Sequence, residues 1–187
     1  MKNILIFIGA SGCGKTTIAE RLDATLDFVK VVTDTSRNPR TNERDGIEYN
    51  FVSKEYFKTY ADEYIETNVF RGGHIYGSNA MRIDRARANA DAVICVEING
   101  AKAIKKYYGD LAHIIYIHRG LDKIFAALDE RLKNGDMTSE EVAERKEKIL
   151  LEIKSRDDEA VEYEINNNGT LEESVLQVNK YVTNGYR

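Results

Sequence analysis

The fold is decided by one nine-residue stretch, Gly9-Ala10-Ser11-Gly12-Cys13-Gly14-Lys15-Thr16-Thr17. It matches the pattern G-x-x-x-x-G-K-[ST], in which a glycine-rich turn joins a strand to a helix. The apolar run from Ile4 to Ile8 precedes the turn and is typical of a buried parallel strand. Apolar residues at helical spacing follow, from Thr16 to Leu26. Strand, turn and helix together predict a binding site for a nucleoside triphosphate.

The residue types of this phosphate loop suit a polyphosphate ligand. Backbone N–H groups and a helix N-terminus attract anions. Glycine lets the backbone approach the phosphates with no Cβ in the way. We expect Lys15 to place its charge on the β- and γ-phosphates and the Thr16 hydroxyl to bind Mg2+. All nine residues, from Gly9 to Thr17, are therefore candidates for binding ATP.

Size and composition narrow the class of protein. The chain has 187 residues, the size of one domain with at most a small insert. Its formal net charge of −4 argues against nucleic-acid binding through bulk charge. The apolar run before Gly9 is too short for a signal peptide or a membrane span. Cys13 and Cys95 have no disulfide or metal-site spacing, so we expect free thiols. We expect a cytoplasmic protein that binds neither nucleic acid nor membranes.

Apolar patterning along the chain predicts an α/β fold with a parallel central sheet. Beyond the first strand, the predicted strands cover residues 28–33, 47–52, 64–70, 92–98, 112–117 and 163–165. Beyond the first helix, the predicted helices cover residues 54–61, 79–89, 100–108, 121–132, 139–160 and 171–182. Residues 71–73 read as a hairpin turn. We expect a core of about residues 1–33 and 86–187, interrupted by an insert of about residues 34–85.

A second site is predicted in the insert. Residues 34–46 form a long polar segment that contains the only proline, and such segments are usually functional. Ligands of parallel α/β sheets bind at the carboxyl ends of the strands, so this segment should overhang the phosphate loop. Arg37 and Arg40, with Tyr49 and Tyr76, could hold a phosphate monoester, since guanidinium binds phosphate oxygens bidentately. The other interpretation is that the arginines form ion pairs with Asp34, Glu43 and Asp45.

The insert resembles the nucleotide-binding segment of guanylate kinases. The resemblance is carried by Thr33-Asp34-Thr35-Ser36-Arg37-Asn38-Pro39-Arg40, Glu43, Asp45-Gly46, Tyr49, Phe51-Val52-Ser53 and Phe57. In the order of that family follow Tyr76-Gly77-Ser78, Arg131-Leu132, Ser139-Glu140-Glu141-Val142 and Asn167. The resemblance covers essentially the whole chain. It implies a P-loop NTPase three-layer fold, an inserted nucleoside-monophosphate-binding subdomain and a short helical lid at about residues 131–145.

The resemblance also implies a reaction and roles for individual residues. The reaction is phosphoryl transfer from ATP to GMP or dGMP, with Mg2+ as the metal cofactor. The matches to ligands of the GMP phosphate are Arg37, Arg40, Tyr49 and Tyr76. The matches on the guanine side are Thr33, Ser78 and Glu66, whose carboxylate would accept hydrogen bonds from N1–H and the 2-amino group. Glu43, Glu97 and Asn99 join this substrate site, and Asn167 joins the ATP site. The residues expected to neutralise the transferring group are Lys15, Arg37, Arg131 and Arg145.

Two segments depart from the family's pattern and leave alternatives open. Glu97-Ile98-Asn99-Gly100 is shorter and less acidic than the family's segment, and Asn134-Gly135-Asp136 lacks the lid arginine. The Asn-Gly pair and residues 166–169 are also similar to ribose-bisphosphate kinases, so ribose 1,5-bisphosphate is an alternative acceptor. A non-catalytic guanylate-kinase-like binding module is a further alternative, although such modules typically lose the phosphate loop. The chain could be a monomer or a homodimer.

Overall fold

The computed structural model describes residues 2–25, 27–40, 43–70, 72–135, 137–154, 156 and 158–186. In chain order the strands are β1 Ile4–Ile8, β2 Phe28–Lys30, β3 Asp34–Thr35, β4 Asn50–Phe51, β5 Tyr64–Phe70, β6 His74–Asn79, β7 Asp91–Cys95, β8 Ala112–His118 and β9 Tyr163–Asn166. The helices are α1 Lys15–Thr25, α2 Lys54–Thr59, α3 Ala80–Ala86, α4 Ile98–Tyr108, α5 Leu121–Lys133, α6 Ser139–Lys154 and α7 Leu171–Thr183.

The larger sheet is parallel and has the order β2-β7-β1-β8-β9. β1 lies at its centre, where all five of its side chains are apolar and buried. Leu5 and Phe7 pack on one face against α1, α5, α6 and α7. Ile4 and Ile6 pack on the other face against α3 and α4. Because helices cover both faces, the predicted α/β fold with a parallel central sheet is confirmed.

The smaller sheet is built entirely from residues between 34 and 79, in the order β4-β3-β6-β5. β3 pairs parallel to β4 and antiparallel to β6. β5 and β6 form the predicted hairpin, whose turn contains Gly72 at φ +83° and Gly73 at φ +69°. These are left-handed conformations that glycine adopts without strain. Arg71, the first residue of the predicted turn, lies outside the described residues.

Strand β3 was not predicted from the sequence. The predicted strand at 28–33 ends at Lys30, and the polar segment after it contributes Asp34–Thr35, which is fully buried. The carboxylate of Asp34 accepts hydrogen bonds from the Tyr64 hydroxyl at 2.6 Å and from Asn50 Nδ2 at 2.8 Å. Arg82 Nε lies 2.8 Å from the same carboxylate. These distant partners compensate the charge, so an acid that looked like part of a loop occupies a core position.

The predicted helices are all present, with corrected ends. α1 begins at Lys15, and Leu26 lies outside the described residues. The predicted strand 92–98 ends at Cys95, and Ile98 belongs to α4. Helix α6 ends at Lys154 and not near residue 160. The predicted strand 47–52 is reduced to Asn50–Phe51. Among the described residues, no helix combines the length and the apolar character needed to cross a bilayer.

Candidate active site

The phosphate loop follows β1 at the carboxyl end of the larger sheet. Its glycines have positive φ angles, +139° at Gly9, +82° at Gly12 and +100° at Gly14. A Cβ at Gly9 would lie 2.5 Å from the carbonyl oxygen of Ile117, so a side chain there would force the loop off β8. Lys15 Nζ donates to the carbonyl oxygens of Gly9, at 2.6 Å, and Ala10, at 3.0 Å. The Lys15 ammonium group is therefore held at the loop by two carbonyl oxygens, and phosphate oxygens could replace them as its partners.

Asn167 supports the loop from the end of β9. Its Nδ2 donates to the carbonyl oxygen of Cys13 at 2.7 Å, and its Oδ1 accepts from the Ser174 hydroxyl at 2.7 Å. Ser174 is completely buried in α7. A Cβ at Gly14 would collide with the Asn167 amide, so the loop and this side chain are fitted to each other. Sequence analysis placed Asn167 at the ATP site and missed Ser174, which has no motif of its own.

Arg37 of the insert is held by side chains on two sides. Its two terminal nitrogens donate to the carboxylate of Glu43 at 2.5 and 2.7 Å, and its Nε donates to the Tyr76 hydroxyl at 2.9 Å. The hydrogen bonds from Arg37 lower the pKa of Glu43 to about 2. The Arg37 guanidinium also lies 5.0 Å from the centre of the Tyr49 ring, within the range of a cation–π contact. The ion-pair interpretation thus holds for Arg37, which is paired with Glu43.

Arg40 differs from Arg37 in being open to solvent. Its side chain is 69% exposed, and its nearest carboxylate oxygen, on Glu43, is 3.9 Å away. An exposed pair at that distance contributes little stability. Tyr49 and Tyr76 pack edge to face beside it, with ring centres 5.7 Å apart, and burial raises the pKa of the Tyr49 hydroxyl. Arg40 is therefore available to a ligand, beside the hydroxyl groups of Tyr49 and Tyr76.

Glu66 and Ser78 form a polar pocket on the smaller sheet. The Ser78 hydroxyl donates to Glu66 Oε1 at 2.7 Å, and Ser78 is buried. Burial raises the pKa of Glu66, and the negative charge of Glu97 adds to the shift. A Cβ at Gly100 would lie 3.2 Å from the Glu66 carboxyl carbon, so the start of α4 closes one side of this pocket. The pocket offers acceptor oxygens to a ligand that brings N–H donors.

The other predicted substrate residues and the predicted metal ligand lie at the starts of β3, α4 and α1. Thr33 is half-buried, and its carbonyl oxygen accepts from the Asn50 backbone N–H at 2.9 Å. Glu97 is the N-cap residue of α4, and Asn99 is exposed in the first turn of that helix. Thr16 is exposed in the first turn of α1, directly after Lys15. Oxygen groups of this kind are the ligands that Mg2+ prefers.

Three arginines approach one another near the phosphate loop. Arg145 Nε lies 3.4 Å from the Ser11 hydroxyl, with which it hydrogen-bonds. Burial lowers the pKa of Arg145, and the positive charges of Arg131 and Arg40 lower it further. These cations come from α6, from the end of α5 and from the insert, respectively. Arg145, which contacts the phosphate loop, thus lies within reach of the positive charges of Arg131 and Arg40 and of the negative charges of Glu152 and Glu141.

Sequence analysis missed two charged residues of α6 that contact this site. The Ser11 backbone N–H donates to Glu152 Oε2 at 2.7 Å, and Lys148 Nζ lies 3.3 Å from Glu152 Oε1 and 3.4 Å from Glu97 Oε1. A signal was present, because Lys148 and Glu152 follow Arg145 at intervals of three and seven residues and so share its face of the helix. Without a structure, that spacing is indistinguishable from a solvated, salt-bridged helix face.

Comparisons with known proteins identify the family. Residues 1–185 match the family model described as guanylate kinase. The guanylate kinase of Myxococcus xanthus is 35% identical over 140 residues, 72% of this chain and 66% of that protein. The guanylate kinase of Porphyromonas gingivalis is 35% identical over 159 residues, 82% of this chain and 83% of that protein. The crystal structure of guanylate kinase from Anaplasma phagocytophilum has a TM-score of 0.73 at 22% identity, covering 99% of this chain and 86% of that one, which supports the fold.

Proposed function

The chain belongs to the guanylate kinase family, and from this premise we propose how its residues carry out ATP-dependent phosphorylation of GMP. An oxygen of the GMP phosphate forms a bond to the γ-phosphorus of ATP. The bond from that phosphorus to the β–γ bridging oxygen breaks, and its electron pair stays on ADP. No side-chain nucleophile is required, so catalysis consists of positioning and charge neutralisation.

The phosphate loop is the donor half of the proposed site. ATP phosphates would replace the carbonyl oxygens of Gly9 and Ala10 as partners of Lys15. Thr16 would bind Mg2+, with the Glu97 carboxylate available to its water ligands. Both side chains supply hard oxygen ligands, which fit this metal and not a thiolate-loving one. When bound, Mg2+ would neutralise charge on the β- and γ-phosphates.

The smaller sheet is the acceptor half. Arg40 would bind the GMP phosphate directly, with the hydroxyls of Tyr49 and Tyr76 as further donors. Arg37 would contribute from its place between Glu43 and Tyr76, and we infer that Glu43 orients it rather than binding substrate itself. A planar guanidinium that is held from two sides loses little freedom when phosphate arrives.

The pocket of Glu66 and Ser78 would select the base. A guanine presents N1–H and the 2-amino group side by side, and the Glu66 carboxylate can accept from both. Adenine has no such pair of donors, so it would leave a desolvated carboxylate unpaired, which sites of this kind reject by orders of magnitude. Ribose 1,5-bisphosphate also lacks these donors. The half-buried, hydroxyl-bonded Glu66 therefore favours a guanine nucleotide over the sugar phosphate.

One observation carries the proposal, namely the contact of Arg145 Nε with the Ser11 hydroxyl of the phosphate loop at 3.4 Å, where the positive charges of Arg131 and Arg40 also act on Arg145. We propose that these three arginines neutralise the transferring phosphoryl group, which passes between the two halves. The insert of about residues 34–85 and the lid of about residues 131–145 would close over it. Closure of this kind excludes water and so prevents hydrolysis of ATP.

A coupled assay of ADP release tests the acceptor. With ATP and Mg2+, we expect turnover with GMP, with dGMP as a second guanine acceptor, and none with AMP, UMP or ribose 1,5-bisphosphate. Turnover with the sugar phosphate and not with GMP would contradict the proposal. The Lys15→Ala variant should lose transfer altogether, because the donor phosphates lose their main protein cation.

A second experiment tests the phosphate clamp. We expect Arg40→Ala to raise the KM for GMP at least tenfold, since a charge-assisted hydrogen bond is lost. The matched control is Arg44→Ala, which removes another exposed arginine of the insert and should leave the KM unchanged. If the two variants had the same KM for GMP, Arg40 would not bind the acceptor phosphate.

A further inference from the structure

One face of α6 touches the phosphate loop through side chains that no motif assigns. Arg145, Lys148 and Glu152 lie on this face. The carboxylate of Glu152 accepts a hydrogen bond from the Ser11 backbone N–H at 2.7 Å. This N–H belongs to the loop that binds the donor phosphates, and its bond to Glu152 is short, as expected for a charged acceptor. A carboxylate therefore accepts from one of the backbone donors of the phosphate loop.

Lys148 lies between three parts of the proposed site, namely the phosphate loop, the start of α4 and the smaller sheet. Its Nζ is 3.3 Å from Glu152 Oε1 beside the phosphate loop and 3.4 Å from Glu97 Oε1 after β7. The same Nζ lies 5.2 Å from the centre of the Phe70 ring on the acceptor-side sheet. Phe70 in turn packs edge to face on Tyr76, with ring centres 4.9 Å apart. The ammonium group thus lies between the phosphate loop, the start of α4 and the smaller sheet.

The two ion pairs of Lys148 can be exchanged for a contact with another anion at little cost in stability. Its side chain is 51% exposed, and exposed ion pairs contribute little to stability. A lysine also has a flexible stem and three donors, so its ammonium can move to a new anion without a change of backbone. An incoming phosphate carries more negative charge than one carboxylate. It competes with Glu152 for Ser11, and it also attracts the cation that Glu152 holds.

We propose that Lys148 is a further catalytic cation, held beside the phosphate loop by Glu152 and Glu97 until the donor phosphates displace Glu152. Lys148 then contacts the γ-phosphoryl group as its bond to the acceptor oxygen forms and its bond to ADP breaks. Glu152 is a positioning residue in this account, since it acts through Lys148 and touches no substrate. The inference rests on the proposed phosphoryl transfer and adds to it a cation outside the three arginines.

Steady-state kinetics with GMP test the role of Lys148. For Lys148→Met we expect kcat to fall 10- to 100-fold, the KM for ATP to rise by a smaller factor and the KM for GMP to stay within about twofold, because the lysine meets the donor phosphates on binding and contributes most in the transition state. Lys148→Arg should retain at least a third of the wild-type kcat, since a cation remains. The control Lys154→Met removes an exposed lysine from the same helix and should be unaffected. Equal kcat values for Lys148→Met and Lys154→Met would overturn the proposal.

ATP binding in the absence of GMP tests the role of Glu152. By titration calorimetry we expect Glu152→Gln to bind ATP 3- to 10-fold more tightly than the wild type, because a neutral amide competes less well for Ser11. The control Glu147→Gln changes an exposed acid of α6 and should bind ATP as the wild type does. Equal or weaker binding by Glu152→Gln would overturn the displacement step. A wild-type chain that failed to bind ATP would instead contradict the proposed function itself, so the two failures are distinguishable.

Discussion

At Glu66 the needs of binding and of stability conflict. Its carboxylate is half-buried against Ser78, and burial raises its pKa above the ordinary value of 4.5. A raised pKa means that the charged form is less stable in the folded chain than in the unfolded chain. The folded protein therefore loses stability by keeping Glu66 charged at neutral pH. A ligand that donates hydrogen bonds to the Glu66 carboxylate would offset this loss of stability.

Glu66→Gln should separate the two effects. We expect the KM for GMP to rise at least tenfold, since a neutral amide cannot accept from both guanine donors. The free energy of unfolding at pH 7 should increase, because a desolvated charge is removed. This gain should shrink as the pH falls toward 4, where the wild-type carboxylate is also neutral. Urea unfolding at both pH values measures the change, with the exposed Glu55→Gln as a control. A variant that is less stable than the wild type at pH 7 would contradict this account.

Glu43 should show the opposite dependence on pH. Its pKa is lowered to about 2 by Arg37, so its contribution to stability is complete above the ordinary value of 4.5 and is lost as the pH falls toward 2. The shift corresponds to a contribution on the order of 3 kcal/mol at neutral pH. Glu43→Gln should therefore be destabilised at pH 7 and approach the wild type only as the pH falls to about 2. Chemical unfolding across this pH range measures the difference in the free energy of unfolding between the variant and the wild type. A difference that does not change with pH would rule out the linkage to the ionisation of Glu43.

Strong apolar patterns in the sequence predict strands and helices, whereas isolated polar residues do not. Strand β5 runs from Tyr64 to Phe70 as predicted, because alternating or continuous apolar residues are visible without knowledge of neighbours. Asp34–Thr35 was assigned to a loop, since the partners that compensate Asp34 are far away in the sequence. The phosphate loop was placed by its motif. Lys148 and Glu152 were missed, because what a charged helix face contacts depends on packing.

Helix α7 both stabilises the fold and supports the phosphate loop, and two variants can separate these roles. Thr170 caps the helix by accepting from the Glu173 backbone N–H, in a capping box. Thr170→Ala should cost about 1 kcal/mol of stability and leave the KM for ATP unchanged. Ser174→Ala removes the donor to Asn167 and so loosens the support of the phosphate loop. We expect it to raise the KM for ATP several-fold. If both variants changed the KM alike, α7 would act only through general stability.

Considered as a unit, the protein consists of two sheets that are joined where the chain passes from β2 to β3. The buried Asp34 lies at this passage and binds three side chains of the smaller sheet and of α3, namely Asn50, Tyr64 and Arg82. Asp34 is thus a common polar partner for β4, β5 and α3. The smaller sheet depends on this carboxylate more than the larger one does.

Removing that partner should loosen the two sheets unequally. Asp34→Ala leaves Arg82 and the Tyr64 hydroxyl without this partner and removes one of the two hydrogen bonds of Asn50 Nδ2, which costs about 3 kcal/mol. Hydrogen exchange followed by mass spectrometry should show faster exchange in β5 and β6, with β1 and β8 close to the wild type. We expect the KM for GMP to rise more than the KM for ATP. Equal loss of protection in both sheets would mean that they unfold together.

The central position of β1 has a consequence for the time during which the chain is synthesised. Leu5 lies beside Val93 of β7 and His113 of β8, so neither neighbouring strand exists until long after β1 has been made. At the usual rates of translation, the wait for β7 is roughly 4 to 18 s. The β5–β6 hairpin needs only adjacent residues, and hairpins form in about 1 to 10 μs. The nascent chain should thus complete its acceptor-side hairpin first, while the strand that leads into the phosphate loop waits for its partners.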